Sequence, residues 1–450
     1  MRVGGAGKLF GTDGVRGIAN KELTVEMAVN LGRVMGTLKG GQIAVGMDTR
    51  LSSPMIRSAA IAGLLSTGSD AVDLGIAPTP AVQYYIKCKE NVNGGIMVTA
   101  SHNPREYNGI KFLQEDGTEF TRKMDEKSEE IYMSGKYKIA EWSKVGKIML
   151  DNCCGIYING IISRIESEKI RKKEYKVVVD CGNGAACFTT PLLLSKLGCK
   201  VISLNCHPDG RFPARNPEPT DENVEDLKRT VKSVGADLGI AHDGDGDRAV
   251  FVDEKGRFIS EDIMLALVAK YYVEEKGGCV VTPVSSSRCL EDVVLEAGGK
   301  VVYTAVGSPV VAEVMKKKNA TFGGEGNGGF IFPEHQHVRD GGFAAAKVLE
   351  LMAREDKKIS ELVKKIPKYY MIKTKVPCKD KIKLLEGLKS EFPEANLTDG
   401  ARLDFEDGWL LIRPSGTEPI ARIFAEGKTE RKAKELLEFG LNTVKKIMSQ

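Results

Sequence analysis

Asp243, Asp245 and Asp247 alternate with glycines directly after the apolar stretch ADLGIAH. That spacing crowds three carboxylates onto a loop without bulky side chains. Such a cluster repels itself unless a cation neutralises it. Carboxylate oxygens suit a hard ion, and a magnesium that keeps open positions can also bind a phosphate oxygen. Two other readings compete. One is a solvated acidic turn. The other is a calcium loop, because DGDGD with Glu254 at the twelfth position imitates an EF-hand ligand pattern. Against calcium, Arg248 stands at the sixth position, where the sharp turn requires glycine. The following AVFVDEKGRF also reads as a β-hairpin instead of a helix.

Four further places carry chemistry. Ser101 lies in TASHNP between the strand IMVTA and His102, Asn103 and Pro104, in a turn that presents its hydroxyl. A serine there is ordinarily a local hydrogen-bonding element, and acyl transfer lacks its G-x-S-x-G elbow. His102 could hydrogen-bond a phosphate or shuttle a proton. Lys111, in NGIKF, is expected at the start of a strand that turns at Asp116 and Gly117. From there it could neutralise a phosphoryl group or act as a base. The loop RPSGTEP offers Arg413, Ser415, Gly416 and Thr417: a guanidinium fork, two hydroxyls and backbone amides. This is the chemistry of a phosphate cradle, with a decorated β-turn as the plainer reading. In GGEGNGG, Glu325 and Asn327 sit among glycines that allow close approach, and a carboxylate beside an amide suits sugar hydroxyls. VVVDCGNGAAC is a near miss to a dinucleotide fingerprint, since Cys187 replaces the third glycine.

One unit recurs three times to position these loops: a β-branched strand, a loop, an amphipathic helix, a glycine and a second strand. The copies are QIAVG, a helix over Met55 to Ser66 and DAVDLG; YKVVVD, a helix near Pro191 to Leu197 and KVISLN; and CVVTP, a helix near Leu290 to Ala297 and KVVYT. Each leads to a further strand that runs into one of the polar loops GGIMVTASHNP, ADLGIAHDGDGDR and ATFGGEGNGG. Ligands gather at the carboxyl ends of strands in such sheets, so these loops are expected to converge on one cleft. From about Lys368 the pattern changes to strands at ARLDF, GWLLIR and IARIFAE and a closing helix with an apolar stripe through Ala433, Leu436, Leu437, Leu441, Val444 and Met448. The expected fold is α/β: three similar domains with mixed sheets plus a smaller C-terminal α+β domain around a central cleft. The boundaries fall at 1–150 (serine loop), 151–255 (aspartate loop), 256–367 (glycine-rich loop) and 368–450 (RPSGTEP loop). HPDGRFPARNPEPT reads as a long ordered connection.

Composition narrows the class. The 450 residues carry 65 basic and 61 acidic side chains and are 42% hydrophobic, the balance of a globular protein without a basic tract for nucleic acid or membrane. No stretch reaches the roughly 20 apolar residues that span a bilayer. The start MRVGGAGKLF lacks the apolar run of a signal peptide, and ten cysteines occur without a C-x-x-C pair. A cytoplasmic location with reduced thiols is expected; oligomeric state is open.

Taken together and in order, GTDGVRG (Gly11 to Gly17), TASHNP, DGDGDR, GEGNGG and RPSGTEP resemble the motifs of the α-D-phosphohexomutase superfamily, and the resemblance spans the whole chain. It implies that Ser101 carries a phosphoryl group and that the phosphoserine and the three aspartates hold Mg2+. It also implies that Arg16, His102, Lys111 and Arg248 serve catalysis around the transferring phosphate. Glu325 and Asn327 would read sugar hydroxyls, and Arg413, Ser415, Gly416 and Thr417 would grip the phosphate that is not reacting. The substrate class implied is a sugar phosphate, with glucosamine 1,6-bisphosphate or another hexose bisphosphate as activator.

Within the superfamily, GTDGVRG is similar to phosphoglucosamine mutases, which interconvert glucosamine 6-phosphate and glucosamine 1-phosphate. The glycine-rich loop departs from the common G-E-x-S-G-H, with Asn327 and Gly329 in place of serine and histidine. Position 308 in TAVGSP is not the histidine of some phosphomannomutases, and His335 or His337 could fill one of these roles. The alternatives are a phosphomannomutase/phosphoglucomutase and, in another class, a non-catalytic sugar-phosphate or calcium-binding protein.

Overall fold

Strands that end at chemistry-bearing loops are apolar on both faces when they lie in the middle of a parallel sheet. Gln42–Met47 and Val92–Val98 are of this kind. The computed structural model describes residues 9–11, 14–415 and 419–449. Its contacts form two compact units, Met1–Glu261 with Asn327–Leu362, and Asp262–Gly326 with Val363–Gln450.

The first unit contains a six-stranded mixed sheet in the order Val15–Ile18, Tyr107–Leu113, Val92–Val98, Gln42–Met47, Asp70–Ile76 and Ile148–Leu150. Gln42–Met47 pairs in parallel with both neighbours, while Tyr107–Leu113 runs antiparallel to Val92–Val98 with Lys111 opposite Met97. Helices Val25–Leu38 and Ser53–Ser66 cover it, burying Leu31, Val34, Met35, Ile56 and Leu64 against Ile43, Val45 and Ile96. The second helix starts two residues before the expected Met55 because Pro54 suits a first turn, where a missing N–H costs nothing.

A second sheet has the order Phe258–Ile259, Ala249–Asp253, Leu238–His242, Lys176–Asp180 and Lys200–Leu204. The antiparallel pairing of Ala249–Asp253 with Phe258–Ile259 is the expected hairpin, so no helix follows the aspartates as a calcium loop requires. Glu254, the would-be twelfth ligand, instead accepts a hydrogen bond from Ser360 Oγ at 2.6 Å. The hairpin of Gly329–Phe332 and Gln336–Arg339 and the buried helix Gly341–Glu355 complete this unit.

In the second unit, Cys279–Pro283 lies parallel to both Lys300–Thr304 and Phe322–Glu325, with helices Arg288–Glu296 and Ser308–Lys318. An antiparallel sheet follows in the order Tyr370–Pro377, Ile420–Gly427, Gly408–Pro414 and Ala401–Phe405, packed by Lys381–Glu391 and Glu430–Ser449. Arg402 is buried with its guanidinium 4.3 Å from the Trp409 ring centroid and donates to the Val284 carbonyl at 2.7 Å. The architecture is thus three α/β regions and a smaller C-terminal domain with an antiparallel sheet.

Two sequence expectations need correction. Lys111 does not begin its strand; the strand begins at Tyr107, four residues earlier. The buried Asn108 amide donates to Ser52 and Ser53 hydroxyls, and the strand runs through this position. Tyr370–Pro377 is an additional strand whose lysines face out along the sheet edge. All ten cysteines are free, and no helix among the described residues is long and apolar enough to cross a membrane.

Candidate active site

The loop after Val92–Val98 places Ser101 at φ +50°, the left-handed region, fully buried. A non-glycine residue there is disfavoured by roughly 1–2 kcal/mol, so its surroundings must hold it. The Ser101 amide donates to Thr99 Oγ1 at 2.8 Å, and Ser101 Oγ donates to Asp243 Oδ2 at 2.7 Å. The aspartate loop comes this close because Gly244 has no side chain: a Cβ there would lie 2.6 Å from the Ser101 carbonyl oxygen.

Asp243, Asp245 and Asp247 are buried, each offering an oxygen within 4.8 Å of the others. Their environments differ. Burial first, then the charges of Asp247 and Asp245, push the Asp243 carboxyl well above the usual carboxylate range. Burial acts on Asp245 in the same direction, but Lys111, the Thr79 hydroxyl, Arg339 and Arg16 outweigh it and hold that group at about 2. Thr79 Oγ1 donates to Asp245 Oδ2 at 2.5 Å, and Arg339 donates to Asp247 Oδ2 at 2.7 Å. Oδ1 of Asp245 and Oδ1 of Asp247 are buried and accept no hydrogen bond. Unsatisfied carboxylate oxygens in a buried cluster are what a hard divalent cation would coordinate, so this donor set fits a metal.

Three cations and a histidine expected from sequence surround the same spot. Lys111 Nζ is 3.7 Å from both Asp245 Oδ2 and Asp247 Oδ2, and 3.3 Å from Glu119 Oε1. Arg248 donates its backbone amide to Asp243 Oδ1 at 3.2 Å and its guanidinium to His102 Nδ1 at 3.0 Å. His102 Nδ1 is also 3.4 Å from Ser101 Oγ. With Nδ1 accepting from Arg248, the His102 proton sits on Nε2. Arg16 donates to Asn103 Oδ1 at 2.7 Å. A buried serine hydroxyl, three carboxylates, an ammonium and two guanidiniums can bind a polyanion and a divalent cation together.

Asn327 belongs to the first unit, where its Oδ1 accepts from the Gly329 amide at 3.1 Å. Glu325, Arg413 and Ser415 belong to the second. There Glu325 Oε1 accepts from the Gly307 amide at 3.2 Å, and the neighbouring Val306 amide donates to Asp399 Oδ2 at 3.0 Å. Asp399 in turn pairs with Arg413 at 3.1 Å. The TAVGSP loop thereby ties Glu325 to Asp399 and Arg413 within that unit. Gly416 and Thr417 lie outside the described residues. His335 is enclosed between the Tyr84 and Phe343 rings, with centroids at 4.3 and 4.8 Å, and fills a core.

Sequence reasoning passed over several contributors. Arg339 and Thr79 each hold one aspartate. Glu119 faces Lys111. Arg215 pairs with Asp180 at 2.8 Å and donates to the His242 carbonyl at 2.6 Å, fixing the residue before Asp243. Arg50 grips the serine loop. An isolated arginine or threonine has no spacing signal, although Arg50 in MDTR and Arg339 in VRD each lie within two residues of an aspartate.

The comparisons with known proteins agree with this geometry. The chain matches the phosphoglucomutase/phosphomannomutase family models for alpha/beta/alpha domain I over residues 7–138, domain II over 156–256, domain III over 260–370 and the C-terminal domain over 371–440. A phosphoglucomutase/phosphomannomutase of Thermococcus kodakarensis is 46% identical, with 98% of this chain and 99% of the relative covered. A phosphoglucosamine/phosphogalactosamine mutase of Sulfurisphaera tokodaii is 42% identical at 98% and 99% coverage. A phosphoglucomutase/phosphomannomutase family protein from Burkholderia thailandensis superimposes with a TM-score of 0.88 at 27% identity, covering 97% of each chain. This chain therefore belongs to the phosphoglucomutase/phosphomannomutase family.

Proposed function

We propose that the protein is a phosphoglucosamine mutase, an isomerase that interconverts glucosamine 6-phosphate and glucosamine 1-phosphate through a phosphorylated Ser101. The observation that carries this reading is the 2.7 Å contact of Ser101 Oγ with Asp243 inside the three-aspartate cluster. A buried hydroxyl aimed at a metal-binding carboxylate set suits phosphoryl transfer, which needs alignment and charge neutralisation more than covalent assistance.

In this reading, the bond from phosphorus to Ser101 Oγ breaks as one forms to a sugar hydroxyl oxygen. The resulting hexose bisphosphate reorients, and its other phosphoryl group returns to Ser101. Arg16, Lys111 and Arg248 neutralise the transferring group, and His102 hydrogen-bonds it or relays the hydroxyl proton. Mg2+ held by Asp243, Asp245, Asp247 and the phosphoserine would supply further neutralisation of the developing charge. Glu325 and Asn327 read sugar hydroxyls, while Arg413, Ser415, Gly416 and Thr417 grip the distal phosphate. Glucosamine 1,6-bisphosphate or another hexose bisphosphate primes Ser101.

A phosphomannomutase/phosphoglucomutase is the second reading, favoured by the 46% identical Thermococcus kodakarensis relative. The two separate on kcat/KM for glucosamine, mannose and glucose 1-phosphates, measured with magnesium and a bisphosphate activator. The first reading predicts the highest value for glucosamine 1-phosphate; a clear preference for mannose or glucose 1-phosphate replaces it with the second.

A further inference from the structure

An arginine side chain has five N–H donors in a rigid planar fork, and all five of Arg50 are engaged although the residue is fully buried. Nε donates to Asp48 Oδ2 at 2.9 Å. The two terminal nitrogens donate to four backbone carbonyls, three in the loop and one at the start of the strand after it: Ser101 at 2.8 Å, Asn103 at 2.7 Å, Pro104 at 2.6 Å and Tyr107 at 2.9 Å. These acceptors lie on both sides of His102. The Phe212 ring packs 5.4 Å from the guanidinium.

The contacts close into a ring. Asp48 Oδ2, which accepts from Arg50 Nε, also accepts from Thr99 Oγ1 at 2.7 Å. Thr99 Oγ1 accepts from the Ser101 amide at 2.8 Å, and the Ser101 carbonyl returns to Arg50. Both the amide and the carbonyl of Ser101 are therefore pinned, around a φ of +50° that the residue would otherwise leave. Relaxation to negative φ would swing Oγ away from Asp243.

We propose that Arg50 is the positioning residue for phosphoryl transfer at Ser101: its guanidinium holds the Ser101 loop in the left-handed conformation that aims Oγ at the aspartate cluster, without touching substrate. The inference rests on the phosphoserine reading above. Lysine keeps the charge but offers a compact ammonium with three donors, so it cannot span four carbonyls in a plane. A displacement of about 1 Å at a reacting atom costs on the order of 100-fold in rate.

The test compares wild type with Arg50→Lys, each phosphorylated on Ser101 by glucose 1,6-bisphosphate and checked by intact mass. Transfer from phosphoserine to glucosamine 1-phosphate is followed in a single turnover, per folded and phosphorylated molecule, alongside steady-state KM. Arg50→Lys is expected to slow transfer on the order of 100-fold while KM moves less than about 3-fold, the split of an interaction acting in the transition state. Transfer within about 3-fold of wild type overturns the inference, because a purely structural arginine changes the folded fraction and not the rate per folded molecule. If Arg50→Lys does not fold, the same measurement on Asp48→Asn, which releases the fork, decides by the same criterion. Failure of both to fold also overturns it, assigning the pair to fold stability. Wild type that transfers to none of glucosamine, mannose or glucose 1-phosphate removes the phosphoserine reading, and the inference with it; wild-type transfer beside an unimpaired Arg50→Lys removes the inference alone.

Discussion

Ser101 Oγ donates to Asp243 Oδ2 at 2.7 Å, and the ionised form of Asp243 is disfavoured by burial and by the charges of Asp247 and Asp245. Asp245 is the opposite case, held ionised by Lys111, Thr79 and Arg339 against its own burial. Two residues that look equivalent in sequence therefore differ in what they do for the fold.

In metal-free buffer, Asp243→Asn is expected to hold or raise stability, since a repelled buried carboxylate is removed. Asp245→Asn is expected to lower it by about 3 kcal/mol, because Lys111 loses a buried partner. Urea unfolding in the presence of a chelator measures both, and the reverse order contradicts this electrostatic assignment. With magnesium present, both variants should lose turnover on the order of 100- to 1000-fold.

Helices Val25–Leu38 and Ser53–Ser66 cross at paired glycines. A Cβ on Gly63 would lie 2.0 Å from the Val29 carbonyl oxygen, and one on Gly32 would lie 2.1 Å from that of Ala60. The obstacle is backbone, so the helices must separate. Gly63→Ala should destabilise the first unit by about 2–3 kcal/mol in urea unfolding; a change under about 0.5 kcal/mol would show that the helices yield freely.

His335 ties stability to pH. Burial first, then the positive charges of Arg164 and Lys87, pull its imidazole down to about 2, and neither ring nitrogen makes a hydrogen bond. Asp340 faces it, with Oδ2 3.4 Å from Nε2, and burial raises that carboxyl to about 6. The folded pKa of His335 is depressed, so its contribution is present above the unfolded value of roughly 6.5 and is lost as pH falls toward 2. His335→Phe keeps a stacking ring and removes the titration. Relative to wild type, it should gain about 2 kcal/mol between pH 8 and pH 5 in urea unfolding. An unchanged difference between the two pH values would contradict a neutral buried imidazole.

The loops that carry Ser101 and the aspartates were legible because their signals are local: an apolar strand, a break, then polar residues at close spacing. The three strand-helix-strand copies were visible for the same reason. Arg50 and Arg339 escaped notice because each acts at long range, 51 residues from Ser101 and 92 from Asp247. Nothing near either in sequence says where its side chain reaches. Tyr370–Pro377 was missed because an exposed edge strand needs only weak alternation.

The most direct test of the account is the phosphorylation of Ser101 itself. Purified wild type and Ser101→Ala are incubated with glucose 1,6-bisphosphate and magnesium, analysed by intact mass, and then chased with glucosamine 1-phosphate. One added phosphoryl group is expected on wild type, mapped to Ser101 and discharged by the chase, and none on Ser101→Ala. A phosphoryl group that persists in Ser101→Ala, or a wild type that turns over hexose phosphates without ever carrying one, would contradict it.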